Sequence, residues 1–235
     1  RPERFDKAVS SEADAVILDL EDAVPPSAKE QARRQVAEWL DPTKPVLVRI
    51  NASKSPWFFE DLAICRHPAV VGVVMPKAET GPALDAIAAI RPVLALIETA
   101  IGVRDLNAIC AHPQVQRLAV GSIDLSLDLG IEGDQATLDP IFLWVIVASR
   151  AAGMPSPVSG VTPDFTNLSR VEIDTARAGA LGFGGKLCIH PAQIAPVHNC
   201  FRPSNAEIEA ARRIVSASAE AAGAATTVDG QMVDR

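Results

Sequence analysis

Apolar residues along the chain come in two rhythms. Short runs, rich in β-branched residues and nearly continuous in apolar character, occupy positions 15–20, 46–50, 70–75, 93–97, 117–121, 158–162 and 184–189. A run without polar alternation predicts a strand covered on both faces, as in a parallel sheet. Between the runs lie longer stretches rich in Ala, Leu and Arg, at 28–40, 58–65, 81–90, 102–111, 141–152 and 171–180. Their length predicts helices, and Gly or Pro punctuates the junctions, as at Pro25-Pro26, Gly81-Pro82 and Gly153. Strand–helix units repeated in this way predict an α/β fold with right-handed crossovers.

Counting separates the two parallel architectures. A (β/α)8 TIM barrel needs eight strands, and here there are seven, preceded by a helix-like segment at 4–11 that has no strand before it. The expectation is such a barrel with its first strand missing from this sequence, which would leave an open edge prone to aggregation. A doubly wound sheet lacks its usual support, because no G-x-G-x-x-G follows the first run. Gly182-Phe183-Gly184-Gly185-Lys186 is no P-loop, since Leu187 stands where Ser or Thr belongs. No repeat or linker splits the chain. The expected organisation is a barrel domain over 1–203 and a C-terminal segment over 204–235, with a helix at 207–222 and a Gly/Thr-containing tail.

Charge and composition narrow the function. Against 22 basic residues stand 29 acidic ones, a net charge of −7, and aromatics are 4% with no Tyr, which excludes a sequence-independent nucleic-acid binder. No apolar run approaches the ~20 residues of a membrane-spanning helix. The four cysteines, Cys65, Cys110, Cys188 and Cys200, are scattered without a C-x-x-C pair, so we expect small core residues in a reducing, cytoplasmic compartment.

Chemistry is expected where strands end, because the loops after a parallel barrel's strands converge on one face. Nearly every run here ends in charge: Asp19, Glu21 and Asp22; Arg49 and Asn51; Lys77 and Glu79; Glu98; Asp124; and His190 after the last. Glu98 and Asp124 close adjacent runs, and two carboxylates plus substrate and water suit Mg²⁺. The alternatives are an ion pair with Arg49 or, for Asp124, a helix N-cap. Arg49 reads as a clamp on a carboxylate or developing oxyanion, or as a salt bridge to Asp19 or Asp22. Asp19, Glu21, Asp22 and Lys77 would then surround the ion site. Zinc is disfavoured, as His67, His112, His190 and His198 show no H-x-x-x-H spacing, and Gly121-Ser122-Ile123-Asp124 is not a nucleophile elbow.

An ordered set of motifs goes further. Val16-Ile17-Leu18-Asp19-Leu20-Glu21-Asp22-Ala23-Val24, Val48-Arg49-Ile50-Asn51-Ala52, Met75-Pro76-Lys77-Ala78-Glu79 and Leu96-Ile97-Glu98-Thr99-Ala100 occur in sequence. Gly121 with Asp124, Asp128-Leu129-Gly130, Gly185-Lys186, Ile189-His190-Pro191 and Gln193-Ile194 follow. Across essentially the whole chain the set resembles the citrate lyase β-subunit-like proteins of the HpcH/HpaI aldolase superfamily, which includes malyl-CoA and citramalyl-CoA lyases. That resemblance implies a Mg²⁺-dependent TIM barrel, a homotrimer or hexamer, that makes or breaks a C–C bond beside a CoA thioester. It implies Glu98 and Asp124 as metal ligands, Arg49 as substrate-binding and catalytic arginine, and Ile189 and His190 as lining of the acyl-CoA site. It also implies Asp234 as a catalytic aspartate on a C-terminal lid reaching a neighbouring subunit, and places Arg4 and Lys7 near the CoA phosphates, where a solvated helix face is the simpler account.

The implied reaction cleaves a 2-hydroxyacyl-CoA to acetyl-CoA and a 2-oxo acid such as pyruvate, glyoxylate or oxaloacetate. Mg²⁺ would polarise the hydroxyl or keto oxygen, Arg49 would stabilise developing charge, and Asp234 would exchange a proton with the acetyl carbon. Ser159 and Asn167 depart from the acidic residues many relatives carry there. The competing expectations are a β-like component of a multi-subunit citrate lyase, a non-catalytic ligand-binding paralogue, and an aldolase acting on a free hydroxy acid without CoA.

Overall fold

The computed structural model describes residues 2–132, 135–221 and 224–233. Its frame is a seven-stranded sheet whose strands are all parallel and hydrogen-bonded in chain order: β1 (Ile17–Asp19), β2 (Val46–Arg49), β3 (Val70–Met75), β4 (Val93–Ile97), β5 (Val115–Val120), β6 (Val158–Ser159) and β7 (Gly185–Lys186). Helices intervene: α1 (Phe5–Val9), α2 (Lys29–Trp39), α3 (Phe58–Ile64), α4 (Pro82–Ala88), α5 (Ala100–Arg104), α6 (Leu106–Cys110), α7 (Ser122–Leu129), α8 (Asp139–Ala151), α9 (Leu168–Leu181), α10 (Ile194–Phe201) and α11 (Asn205–Glu220). A two-stranded antiparallel hairpin, β8 (Thr226–Val228) and β9 (Gln231–Val233), ends the described chain. No helix among the described residues is long and apolar enough to cross a membrane.

The near-continuous apolar runs are explained by two cores. Val46, Val48, Val73, Met75, Val93, Ala95, Ile97, Leu118 and Val120 pack outward with the helices in the larger one. The intervening residues Val74, Leu96 and Ala119 gather on the other face with Ile17, Leu47, Leu94, Val158 and Leu187. One cluster drawing on all seven staves requires a curled sheet. Two-residue strands at β6 and β7 complete the described sheet, and β1 and β7 are its unpaired edges. A groove of about 870 Å³ draws its lining from strands across the sheet, among them Ile17, Leu47, Leu94, Arg117, Val158 and Lys186.

Several expectations are corrected. The runs at 158–162 and 184–189 contribute only two paired residues each: the ladder ends with Leu187 N–H donating to Ser159 O, and beyond it the Thr162 carbonyl is taken by Gln193 Nε2. The helix expected at 102–111 is two, split at Asp105, whose backbone closes one and opens the next. Cys188 and Cys200 are exposed, while Cys65 and Cys110 are core residues; all four are free thiols. The C-terminal hairpin was not anticipated. Its turn is Asp229-Gly230, both left-handed at φ 50° and 80°, the pair a type I′ turn requires.

α11 begins with a capping box: Ser204 Oγ accepts from Glu207 N–H, and Glu207 Oε2 accepts from Ser204 N–H at 2.8 Å. None of its residues is buried, and the hairpin is tied to it by Arg213, whose guanidinium donates twice to Asp229 Oδ2 at 3.1 and 2.7 Å.

Candidate metal centre at the strand ends

The centre is assembled from the carboxyl ends of β1 to β5. Pairing register makes its first contact, since Asp19 on β1 lies opposite Arg49 on β2. The guanidinium forks onto that carboxylate, Nε to Oδ1 at 2.8 Å and Nη2 to Oδ2 at 2.6 Å. Nη1 then faces Glu21 Oε2 and Asp22 Oδ2, each at 3.2 Å. Burial works against the charge of Arg49, but Asp19, Glu21 and Asp22 together raise its pKa. The salt-bridge alternative for Arg49 is thus realised, with one edge of the guanidinium locked and Nη1 more loosely held.

The loop bearing Glu21 is fixed from below. Asp19 accepts from the N–H groups of Glu21 and Ala23, and buried Lys29 donates to the carbonyls of Leu20 and Glu21 at 2.8 and 2.7 Å. Asn51 Nδ2 reaches the Leu20 carbonyl as well, and is held by Asp61, which also takes Arg33 Nε. Glu21 is 7% exposed; burial raises its pKa, reinforced by Asp22 and Asp19 against Arg49 and Lys77. Its Oε2 receives no hydrogen bond among the described residues.

Glu98 follows β4 directly and is 3% exposed. Its Oε1 accepts from the Lys77 backbone N–H at 2.8 Å. Burial, with the charges of Glu21 and Asp124, pushes its pKa up to about 7, against the pull of the Lys77 N–H and ammonium. Its place depends on Gly121, where a Cβ would come within 2.7 Å of the Glu98 Cβ. Asp124 corrects the sequence reading: β5 ends at Val120, and Asp124 lies in the first turn of α7, whose N-cap is Gly121. It is therefore neither a strand terminus nor a cap. Lys77 Nζ sits 3.0 Å from Asp124 Oδ2 and 3.5 Å from Glu21 Oε1. Asp128, one turn further on, accepts from Ala100 N–H at 2.7 Å and ties α7 to the helix after Glu98.

Glu21, Arg49, Lys77, Glu98 and Asp124 are brought together; the ion pair of Glu98 or Asp124 with Arg49 is not formed, Lys77 taking that part. Ile189 and His190 are exposed beyond β7, outside this charge network. His190 Nδ1 accepts from Ala192 N–H, its ring stacks on Phe165 at 4.8 Å and 15°, and buried Gln193 accepts from the N–H groups of both Ile189 and His190. Ser159 is buried and Asn167 caps α9, accepting from Arg170 N–H. Arg4 and Lys7 are exposed. Asp234 lies outside the described residues. Sequence reasoning missed the roles of Gly121 and of the Lys77 backbone; a glycine next to the strand end after Glu98 was the available signal.

No group of three or more His, Cys, Asp or Glu among the described residues could hold a metal. A carboxylate pair can also serve an ion that takes most of its ligands from substrate and water, and Glu98 and Asp124, both near Lys77, are the pair that would do so. Burial first, then the neighbouring charges of Glu21 and Asp124, raises the Glu98 pKa, so a cation beside it would favour its charged form.

Comparison with known proteins gives a consistent result. The family model described as HpcH/HpaI aldolase/citrate lyase matches residues 1–191. A citrate lyase subunit beta-like protein of Deinococcus radiodurans is 35% identical, over all of this chain and 89% of its own length. A (3S)-malyl-CoA thioesterase of Cereibacter sphaeroides is 33% identical over 98% of this chain and 85% of its own. Among solved structures, protein CitE from Mycobacterium tuberculosis in complex with magnesium, acetoacetate and coenzyme A superposes with a TM-score of 0.86 at 34% identity, covering 100% of this chain and 89% of that one. The citrate lyase beta subunit of M. tuberculosis complexed with oxaloacetate and magnesium gives a TM-score of 0.77 at 32% identity, over 86% and 93%.

Proposed function

The chain belongs to the HpcH/HpaI aldolase/citrate lyase family, and on that premise we propose that it is a magnesium-dependent lyase cleaving a 2-hydroxyacyl-CoA thioester to acetyl-CoA and a 2-oxo acid. The observation that carries this reading is the convergence of Glu98, Asp124, Glu21, Lys77 and Arg49 at one end of the sheet. A magnesium ion held by Glu98 and Asp124 would supply Lewis-acid polarisation of the substrate's hydroxyl or keto oxygen.

The chain's own residues supply the rest. Arg49 is oriented by its fork on Asp19, so its position is set before substrate arrives; its Nη1 end, shared between Glu21 and Asp22, is the part a substrate carboxylate or developing oxyanion would engage. In cleavage the hydroxyl loses its proton, the C–C bond breaks toward the thioester, and the acetyl carbon gains a proton. We assign that last transfer to Asp234, on its motif. Ile189 and His190, presented by Gln193 beyond β7, would line the acyl-CoA approach. The partners of this reading are pyruvate, glyoxylate or oxaloacetate as 2-oxo acid; oxaloacetate and pyruvate are ligands in M. tuberculosis structures similar to this chain.

The curled sheet is, in this proposal, most of a (β/α)8 barrel, open between the edges β1 and β7. The C-terminal segment 204–235 acts as a lid toward a second subunit of a trimer or hexamer. The wholly unburied α11, with exposed Val215 and Met232, supports that arrangement, which sedimentation velocity tests.

A second reading has its own support: relatives named (3S)-malyl-CoA thioesterase are 32–33% identical over 98% of the chain. Hydrolysis would send water to the thioester carbonyl and release free CoA. Incubating purified protein and Mg²⁺ with malyl-CoA and citramalyl-CoA separates the readings by product. Acetyl-CoA with glyoxylate or pyruvate supports the lyase, and CoA with the free hydroxy acid supports the thioesterase. No turnover unless partner subunits are added would favour the β component of a multi-subunit lyase.

A further inference from the structure

The carboxylates at the strand ends have a cation beside them that the chain itself provides. Lys77 leaves β3 with φ at 46°, in the left-handed region that a side chain with Cβ rarely enters. From that conformation its two polar groups serve different neighbours: the N–H donates to Glu98 Oε1, and Nζ lies 3.0 Å from Asp124 Oδ2 and 3.5 Å from Glu21 Oε1. Arg49 is committed to Asp19, Glu21 and Asp22. Among the described residues, Lys77 alone forms an ion pair with Asp124.

We propose that Lys77 is the resident counter-cation of the metal-free centre: its ammonium balances Asp124 and Glu21 until a divalent cation enters and then yields that place, while its N–H keeps Glu98 oriented. The proposal rests on the reading of Glu98 and Asp124 as metal ligands. Three carboxylates in and around a low-dielectric pocket repel one another, and a neighbouring positive charge lets them stay converged without the metal. An ammonium on a four-carbon stem suits exchange better than a guanidinium, being a point charge without a planar fork to break. The Lys77 side chain is 42% exposed, so it has solvent to move into. The cost of this arrangement is metal affinity, because the entering ion must displace a charge already in place.

The test titrates Mn²⁺ into protein with pyruvate present and counts free ion by electron paramagnetic resonance. Lys77→Met should bind Mn²⁺ about fivefold more tightly than wild type, the scale of one lost ion pair. Its metal-free melting temperature should fall, with a larger rise on Mn²⁺ addition. Lys54→Met, which removes an exposed lysine 3.9 Å from Glu79, should stay within twofold of wild type and excludes a general charge effect. Lys77→Gly keeps the N–H, accepts the left-handed backbone and should give the same tightening if the Met variant does not fold. Equal or weaker binding in both Lys77 variants overturns the proposal while leaving the metal reading intact. Wild-type affinity retained in Glu98→Gln overturns the metal reading, and the proposal with it.

Discussion

The strand ends of β1 to β5 and those of β6 and β7 are built on different chemistry. The first group gathers Asp19, Glu21, Arg49, Lys77 and Asp124 into overlapping ion pairs, with Glu98 held beside them by the Lys77 N–H. The second is closed mainly by hydrogen bonds: Gln193 bridges Ile189, His190 and Thr162, Thr162 Oγ1 donates to Asp174, and Lys186 Nζ donates to the Gly160 carbonyl. Charge in the second group is sparser: buried Asp174 is paired with Arg170 on its own helix and takes the Thr162 hydroxyl. The contrast teaches that one end of one sheet carries two tasks. On the proposed function, a wall of fixed charge would hold and polarise the reacting group, and a wall of hydrogen bonds would present Ile189, His190 and Phe165.

Neutralising either wall sharpens the comparison. The largest effect is expected for Glu98→Gln and Asp124→Asn, with turnover of the CoA thioester falling by about 10³ and melting temperature nearly unchanged. Asp174→Asn is the matched change on the other wall; it should lower stability but leave turnover within about threefold. If it costs as much activity as Glu98→Gln, the division of tasks is wrong. Next comes Arg49→Lys. The fork on Asp19 cannot be rebuilt by an ammonium, and kcat should fall by about 10², measured by acetyl-CoA release. Gln193→Leu follows, leaving the N–H groups of Ile189 and His190 and the Thr162 carbonyl unpaired. A loss of about 2 kcal/mol in urea unfolding and a raised KM for the thioester, with kcat held, would mark that wall as a binding surface.

The smallest expected effect is a slope in pH. Glu98 holds its proton more tightly folded, near 7, than unfolded, near 4.5. The stability this lends the metal-free protein is fully present below 4.5 and lost as pH rises through about 7. Melting in chelator from pH 5 to 8 should show Glu98→Gln declining less steeply than wild type. Parallel curves would mean that Glu98 is not the group that feels the pocket.

How far the sequence announced this depends on length and on local signals. β3 and β4 are full apolar runs and were legible to the residue, whereas β6 and β7 shrink to two paired residues, and Thr162, Ile189 and His190 bond to the Gln193 side chain instead. Glu98 and Arg49 stand where the runs stop and were readable there. Asp124 was found for the right neighbourhood but sits a helical turn past its strand, which periodicity does not distinguish. The orienting N–H of Lys77 is a backbone property, invisible to any pattern of side chains. The Asp229-Gly230 turn carried a readable hairpin signal, but the flanking strands are three residues each and only weakly apolar. Family membership was legible from the ordered motifs, and the comparisons agree with it.

The strictly sequential strand order has a consequence for how the molecule comes into being. Each strand docks on the one made just before it, so the sheet grows from the amino end without waiting for distant sequence. Every member of the charged wall lies between residues 19 and 124. On a ribosome that wall would be drawn up while the residues after 124 were still being added, and the nascent chain would carry a concentrated knot of acid early. Lysine and arginine inside the same stretch, Lys29, Arg33, Arg49 and Lys77, are placed to tame it from the moment it forms.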